Sequence, residues 1–149
     1  MSDLEKAREL MLSGSYTAAL CRGEETMIST KRGVKPLLDW IDEGRKLCGW
    51  TAADRVVGKA AAFLYVLLGV ERVWAPVMSS KAKAVLESHG IEALCDTEVE
   101  KIENRTRDGF CPMETAVWDI DDPVEARATV IVRLRELNGE SGEKAEKIA

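Results

Sequence analysis

The stretch VERVWAPVMSSKAKAVLESHGIEALCDTEV, residues 70–99, has the pattern of a strand, a helix and a second strand. Residues 71–78 have a strand-like composition, Ser79 and Ser80 can cap a helix that runs to Ser88, and residues 91–99 are strand-like again. A helix that joins two strands in this way is typical of a parallel βαβ unit. The stretch therefore predicts an α/β fold whose sheet contains parallel strands.

The residues that precede this unit show clear periodicity. Apolar side chains recur at helical spacing in three segments, and another segment is β-branched and aromatic on both sides of a polar turn. The predicted elements are a helix from residue 4 to the Ser13-Gly14 stop, a hairpin with strands at 15–21 and 26–30, a helix over 37–47 that ends near Gly49, and a helix over 53–68.

The helix over 53–68 is the most apolar segment of the chain. Thr51 is a suitable N-cap for it, and Asp54 stands where a carboxylate interacts favourably with the helix dipole. We expect this helix to be buried on most of its surface.

The C-terminal third is predicted to be a turn-rich segment followed by helices. Residues 103–109 are polar, and a helical region begins at Cys111-Pro112, pauses at 121–123 and continues to Leu137. We expect residues 1–137 to form one domain and the charged residues 138–149 to be a disordered tail.

Composition excludes several classes of protein. The 149 residues are 46% hydrophobic and 32% charged, which is typical of one soluble globular domain. The net charge of -5 argues against a nucleic-acid partner. The apolar run at 60–68 is much shorter than the ~20 residues of a membrane span, and the N-terminus lacks the features of a signal peptide. The sequence thus predicts a cytoplasmic protein that does not contact a membrane.

The soft metal ligands are few and scattered. Cys21, Cys48, Cys95 and Cys111 form no C-x-x-C pair, and His89 is the only histidine. Structural zinc sites need four such ligands at short spacings. We therefore expect no metal and no cofactor.

Lys59 is the first candidate site residue, because every other position from Val56 to Leu68 is apolar or glycine. Its stem can lie on the helix while the ammonium group reaches solvent, which would be a bland surface role. Alternatively Lys59 lines a pocket as an anion ligand or a nucleophile. Arg55, four residues earlier on the predicted helix, would then add a second cation, and Gly58 would allow a ligand or another backbone to approach closely.

Cys111 and Glu114 form the second candidate group. Pro112 at the first helical position puts Cys111 at a helix N-cap, where the dipole favours a thiolate, and Glu114 could serve as the acid or base. The alternative is a plain helix start in which Glu114 caps the backbone and Cys111 is inert. His89 is better explained as a helix C-cap residue than as a catalytic partner.

The order of elements, together with DRVVGKAAA at 54–62 and CPME at 111–114, resembles a small uncharacterised prokaryotic family with a cytidine-deaminase-like fold. The resemblance spans about residues 4–137 and implies a three-layer α/β/α sandwich around a mixed sheet.

The chain departs from active zinc deaminases at the positions of the zinc ligands and of the catalytic glutamate. Those enzymes carry H-x-E and P-C-x-x-C at the starts of two core helices. Here Lys59-Ala60-Ala61 and residues 76–80, PVMSS, stand at the corresponding places. The resemblance therefore implies a domain without the zinc site and without zinc-dependent deamination.

The resemblance also implies a cleft where the two helix starts converge. We expect Lys59 and Arg55, together with Ser79 and Ser80, to line it, and the loop that carries Asn104 to run into it. Fixed cations and hydroxyl groups suit a nucleotide-like or ADP-ribose-like anion, bound by a sensor or regulatory module. The alternatives are an enzyme with Cys111 or Lys59 as nucleophile, and a purely structural module that forms a homo-oligomer.

Overall fold

The computed structural model describes residues 1–104 and 106–139. Within these ranges the chain alternates helices and strands in an α/β arrangement. The elements, in chain order, are α1 (Asp3–Ser13), β1 (Ala18–Arg22), β2 (Glu25–Ser29), α2 (Lys35–Asp42), β3 (Thr51–Asp54), β4 (Val56–Val57), α3 (Lys59–Leu68), β5 (Arg72–Ser79), α4 (Ser80–Ser88), β6 (Glu92–Val99), α5 (Pro112–Ala116) and α6 (Pro123–Leu137).

The six strands form one mixed sheet. β1 is antiparallel to both β2 and β3, whereas β3, β4 and β6 are all parallel to β5. β3 and β4 pair with successive parts of β5, so they lie end to end along one side of it and β6 occupies the other side. The parallel half of the sheet is thus centred on β5.

Helices flank both faces of the sheet, because side chains of successive strand residues point to opposite faces. Ala53 and Trp74 pack with Ala7 and Met11 of α1 on one face. The other face belongs to the larger core, which includes residues of α2, α3, α4, α5 and α6. This is the layered α/β architecture expected from the sequence.

The predicted βαβ unit is confirmed as β5, α4 and β6. The Ser79 hydroxyl accepts a hydrogen bond from the backbone N–H of Ala82 at 3.1 Å, so it is the N-cap of α4. The predicted first helix and hairpin also correspond to α1, β1 and β2. Ser2 caps α1 by accepting a hydrogen bond from the N–H of Glu5 at 3.1 Å.

The predicted helix over 53–68 is wrong in its first part. Thr51–Asp54 is a buried strand between β1 and β5, and the helix begins only at Lys59. Alanine favours helices, so Ala52 and Ala53 resemble helical residues locally, but pairing with two neighbouring strands overrides that preference. Arg55 lies between β3 and β4 and does not share a helix with Lys59.

The predicted helix over 37–47 is also shorter in the structure, where α2 ends at Asp42. Gly44 adopts a left-handed backbone conformation with φ of 76°, which stops the helix. The chain then turns back to the core, where the backbone N–H of Leu47 donates to the carbonyl of Leu68 at 2.7 Å.

The C-terminal helices lie close to where the sequence predicts them. α5 begins at Pro112, and Asp122 caps α6 by accepting a hydrogen bond from the N–H of Glu125 at 2.8 Å. Residues 140–149 of the predicted tail lie outside the described residues. No helix in the described ranges is both long enough and apolar enough to cross a bilayer.

Candidate functional site

Glu114 of α5 is a carboxylate buried to 2% exposure that joins three distant segments. Its Oε2 accepts hydrogen bonds from the backbone N–H of Lys59 at 2.7 Å and from the Ser79 hydroxyl. Its Oε1 accepts one from the backbone N–H of Ile102 at 2.8 Å. The carboxylate therefore lies where the starts of α3 and α4 converge.

The positions of these donors explain the burial of a charged group. Gly58, the N-cap of α3, has no side chain that could accept from the first turn of its helix, and Glu114 takes that role from a distance. A negative group at a helix N-terminus is stabilised by the unpaired N–H groups and the dipole. The sequence predicts Glu114 either as a helix cap or as an acid–base group, and the structure has it capping α3 rather than α5.

Gly58 permits the close approach that the sequence predicts, but the approaching groups belong to the protein itself. A Cβ atom at this position would lie 3.1 Å from Cγ1 of Ile102 and 3.2 Å from Oε2 of Glu114. Both contacts are tighter than ordinary van der Waals distances. The hydrogen atom of glycine is what lets the Glu114 carboxylate reach the start of α3.

Lys59 directs its side chain toward the chain segment that follows α5. The residue is only 4% exposed, and its Nζ donates to the carbonyl oxygen of Trp118 at 2.7 Å. Nζ of Lys81 on α4 donates to the same oxygen at 3.1 Å. Burial lowers the pKa of Lys59, and the neighbouring Lys81 lowers it further. Two ammonium groups therefore meet at one carbonyl oxygen.

A third lysine and two aromatic rings complete this group. Nζ of Lys101 lies 4.5 Å from the ring centre of Trp118 and 5.1 Å from that of Phe110. Nζ of Lys81 lies 4.0 Å from the Trp118 ring centre. None of the salt bridges within residues 1–104 and 106–139 involves these three lysines. We call Lys59, Lys81, Lys101, Phe110 and Trp118 the Trp118 cluster.

The structure brings together part of the predicted site. Gly58, Lys59 and Ser79 meet at Glu114, as described above. Ser80 is close in sequence, but its hydroxyl donates to Glu98 on β6 at 2.6 Å. Cys111 is half-buried against the core, and its backbone N–H donates to the carbonyl of Ile102 at 2.8 Å.

Arg55 and Asn104 do not join this group. The Arg55 guanidinium donates through Nε to the carbonyl of Tyr16 at 2.9 Å. The Asn104 side chain closes its own loop, since its Nδ2 donates to Asp108 at 2.9 Å and its Oδ1 accepts from the backbone N–H of the same residue at 3.2 Å. Both side chains have local structural partners.

Two shallow depressions on the surface lie elsewhere, along α1 and between α5 and α6. Neither is lined by any of the predicted site residues. The sequence reasoning also missed Lys81, Lys101, Phe110 and Trp118. No local pattern marks these four residues, because they lie on separate segments that only the fold brings together.

Comparison with known proteins adds a family. The family described as "TM1506: Domain of unknown function (DUF1893)" matches residues 6–133, which is most of the chain. The chain belongs to the DUF1893 family. No curated protein matches the sequence significantly.

A solved structure of another member of the family resembles the domain described above. It is the crystal structure of a DUF1893 family protein, TM1506, from Thermotoga maritima, with a TM-score of 0.80 and 24% sequence identity. The match covers 87% of this chain and 88% of the Thermotoga chain. The two proteins therefore share a fold over nearly their whole lengths.

The described part of the DUF1893 domain offers no set of side chains that would hold a metal ion. Those residues contain no group of three or more His, Cys, Asp or Glu side chains placed to hold a metal ion. Around Glu114 the nearest polar groups are two backbone N–H groups and a serine hydroxyl, which are hydrogen-bond donors.

A second buried carboxylate lies under α3 in the same domain. Asp54 accepts a hydrogen bond from the hydroxyl of Tyr65 at 2.6 Å and another from the backbone N–H of Arg55 at 2.8 Å. Burial raises the pKa of Asp54 to about 6, although its hydrogen-bond donors oppose the shift. This pair joins the end of β3 to the middle of α3.

Proposed function

We propose that this DUF1893 domain binds a small phosphate-bearing ligand, nucleotide-like or ADP-ribose-like, at the Trp118 cluster. The observation that carries the proposal is the convergence of Lys59, Lys81 and Lys101 on Trp118 without a carboxylate at ion-pair distance within the described residues. Lysine is a common ligand of phosphate groups because its ammonium group is a compact charge with three donors.

The arrangement of charges supports an anionic ligand. The chain carries a net charge of -5, so a group of three lysines stands out against its acidic background. Like charges at this spacing repel one another, and the lowered pKa of Lys59 reflects that repulsion as well as burial. Asp121, Asp119 and Glu114 act in the opposite direction and raise the pKa of Lys59. A bound phosphate would add negative charge directly beside the ammonium groups.

The helix N-termini are a less suitable place for the ligand. The start of a helix often binds anions, but here the Glu114 carboxylate already accepts from Lys59 and Ser79. A ligand phosphate would have to displace a buried carboxylate and would leave it without donors. The Lys59 ammonium group points to the Trp118 cluster. A phosphate would meet ammonium groups there and would not have to displace a carboxylate.

We also propose that the fold is cytidine-deaminase-like. α3 follows β4 and α4 follows β5, and these two strands are adjacent and parallel. Ligands of such sheets bind beyond the carboxyl ends of the strands. In zinc deaminases the corresponding helix starts carry the metal ligands, whereas here they carry Lys59 and Ser80 with the Glu114 carboxylate between α3 and α4. That set of groups favours a metal-free ligand-binding domain.

A second candidate function has one supporting observation. The lowered pKa of Lys59 increases the share of neutral amine, which is the form that attacks carbonyl groups. Glu114 is a poor acid or base for such an enzyme, because both of its oxygens accept hydrogen bonds from buried donors. Cys111 has no comparable observation in its favour.

Calorimetric titration of the full chain tests the proposal. The panel contains AMP, ADP-ribose, ribose 5-phosphate and inorganic phosphate, with the wild type compared with Lys81→Met and Lys83→Met. Lys83 is a matched control, since it lies two residues away on α4 and pairs with Glu98 at 3.6 Å. We expect at least one ligand of the panel to bind the wild type and Lys83→Met equally, and to bind Lys81→Met about tenfold more weakly.

Two outcomes would count against the proposal. One is the absence of binding by every member of the panel to the wild type. The other is binding that Lys81→Met and Lys83→Met reduce to the same extent, since that would indicate a general effect of surface charge rather than a site at Trp118.

A further inference from the structure

We infer that Phe110 and Trp118 form a stacking clamp for a planar base. The ligand would then be a nucleotide rather than a phosphate compound without a base. This inference rests on the proposed function. Its basis is the position of the Lys101 ammonium group, which lies over both rings at 5.1 and 4.5 Å from their centres. The two rings thus face a common space that a side chain of this protein occupies.

The two rings are held by backbone structure on different segments. Phe110 pairs with Glu103 across an isolated antiparallel bridge, which fixes the end of the loop before α5. Trp118 follows α5, and its carbonyl is held by Lys59 and Lys81. The two rings of the clamp therefore come from separate segments of the chain.

The exposure of Phe110 points to an unfilled contact. Phe110 is 54% exposed, which is high for a phenylalanine, and its ring faces the ammonium group of Lys101. A base stacked on Phe110 would cover apolar surface that the lysine stem leaves in water. Aromatic side chains beside cations are the usual components of sites that hold a base by stacking and a phosphate by charge.

Binding of the base would require one local change. The Lys101 ammonium group would leave its place over the two rings, and the base would stack there instead. Lys101 lies just after β6 and is only partly buried, so its side chain can turn without disturbing the core. The displaced ammonium group would then join Lys59 and Lys81 as a phosphate ligand, so the base and the phosphate favour the same rearrangement.

The test compares ligands that differ only in the base. AMP and ribose 5-phosphate carry the same sugar phosphate, and their dissociation constants are measured by calorimetry for the wild type, Phe110→Ala and Leu12→Ala. Leu12 is a matched control because it is an exposed apolar residue, 58% exposed, on α1 at a different surface. Phe110 is also exposed, so its truncation should leave the domain folded.

We expect the wild type and Leu12→Ala to bind AMP on the order of tenfold more tightly than ribose 5-phosphate. Phe110→Ala should lose this preference and keep its affinity for ribose 5-phosphate. Equal affinity of the wild type for both ligands, or an equal loss of both in Phe110→Ala, would overturn the clamp and leave the phosphate site intact. Failure of both ligands to bind the wild type would instead overturn the proposed function.

Discussion

The backbone N–H of Lys59 donates to Oε2 of Glu114 at 2.7 Å, although the two residues are 55 positions apart in the chain. This bond gives α3 the N-terminal cap that Gly58 cannot provide. The same carboxylate holds Ser79 at the start of α4 and Ile102 in the segment after β6. One side chain of α5 thus fixes the relative positions of the three segments that surround the candidate site.

Glu114→Gln should destabilise the domain. The variant keeps the shape of the side chain, but its amide nitrogen cannot accept a hydrogen bond. The one remaining oxygen would have to accept from donors that in the wild type are shared between two oxygens. One buried donor left unpaired and a weaker interaction with the helix dipole together cost about 3 kcal/mol. For a chain of this size that loss lowers the melting temperature by about 6–12 °C.

The matched control for this variant is Glu87→Gln. Glu87 is exposed on α4, so the same chemical change should leave the melting temperature nearly unaltered. Thermal unfolding of both variants at neutral pH gives the comparison. A Glu114→Gln variant as stable as Glu87→Gln would show that the three hydrogen bonds contribute little.

The role of Ser79 could be predicted from the sequence, whereas that of Glu114 could not. Ser79 caps α4 through Ala82, only three residues away, and such local patterns are visible in a sequence. Glu114 caps a helix 55 residues away, and its own helix spacing suggests a different target. Contacts of this kind follow from the packing of elements, which a single sequence does not specify.

Lys59→Met should not lower the stability of the domain appreciably. Methionine has about the same length as the lysine stem, so the packing should change little. The pKa of Lys59 is lowered in the folded state, which means that the charged amine is less favourable in the folded domain than in the unfolded chain. The Trp118 carbonyl keeps the hydrogen bond from Lys81. Thermal unfolding should therefore show a change of no more than a few degrees.

The same variant should bind phosphate ligands about tenfold more weakly if Lys59 contributes to the Trp118 cluster as proposed. Titration with the ligand that binds the wild type best measures this effect. A variant that melts like the wild type and binds that ligand equally well would remove Lys59 from the site. Lys81→Met provides the reference for the loss of one cation.

Gly58→Ala should cost about 1–2 kcal/mol of unfolding free energy. The added methyl group would meet Ile102 at 3.1 Å and Glu114 at 3.2 Å, so one of these neighbours has to move. Backbone strain does not contribute, because the φ of Gly58 is -97°. Denaturant unfolding of Gly58→Ala, Ile102→Ala and the double variant separates the two contacts. Purely additive effects would argue against crowding by Ile102.

The grouping of the lysines in the Trp118 cluster could not be predicted from the sequence. Lys81 and Trp118 are 37 residues apart, and Lys101 belongs to another segment, so no window of sequence contains the group. The segment at 51–57 has the same difficulty, since its alanines suit a helix until β1 and β5 are placed beside it. Local patterns predicted most of the helices and strands correctly, but the groups that meet across them required the fold.

Asp54 predicts a dependence of stability on pH with a definite sign. Its pKa is about 6 in the folded domain, above the ordinary value of 3.8 to which unfolding returns it. The folded state therefore favours the protonated acid, and its stability relative to the unfolded state falls as pH rises from about 4 to about 6. Two pKa units correspond to about 3 kcal/mol, which is the full loss above this range.

Asp54→Asn isolates this contribution from that of the other carboxylates. Asparagine has the shape of the protonated acid and does not ionise, so the difference in unfolding free energy between the variant and the wild type should change in favour of the variant between pH 4 and pH 7. Urea unfolding at several pH values within that range measures the difference. Tyr65→Phe removes a donor that lowers the pKa of Asp54, so it should move the transition to higher pH. A difference that stays constant with pH would mean that Asp54 titrates in the folded domain as it does in the unfolded chain.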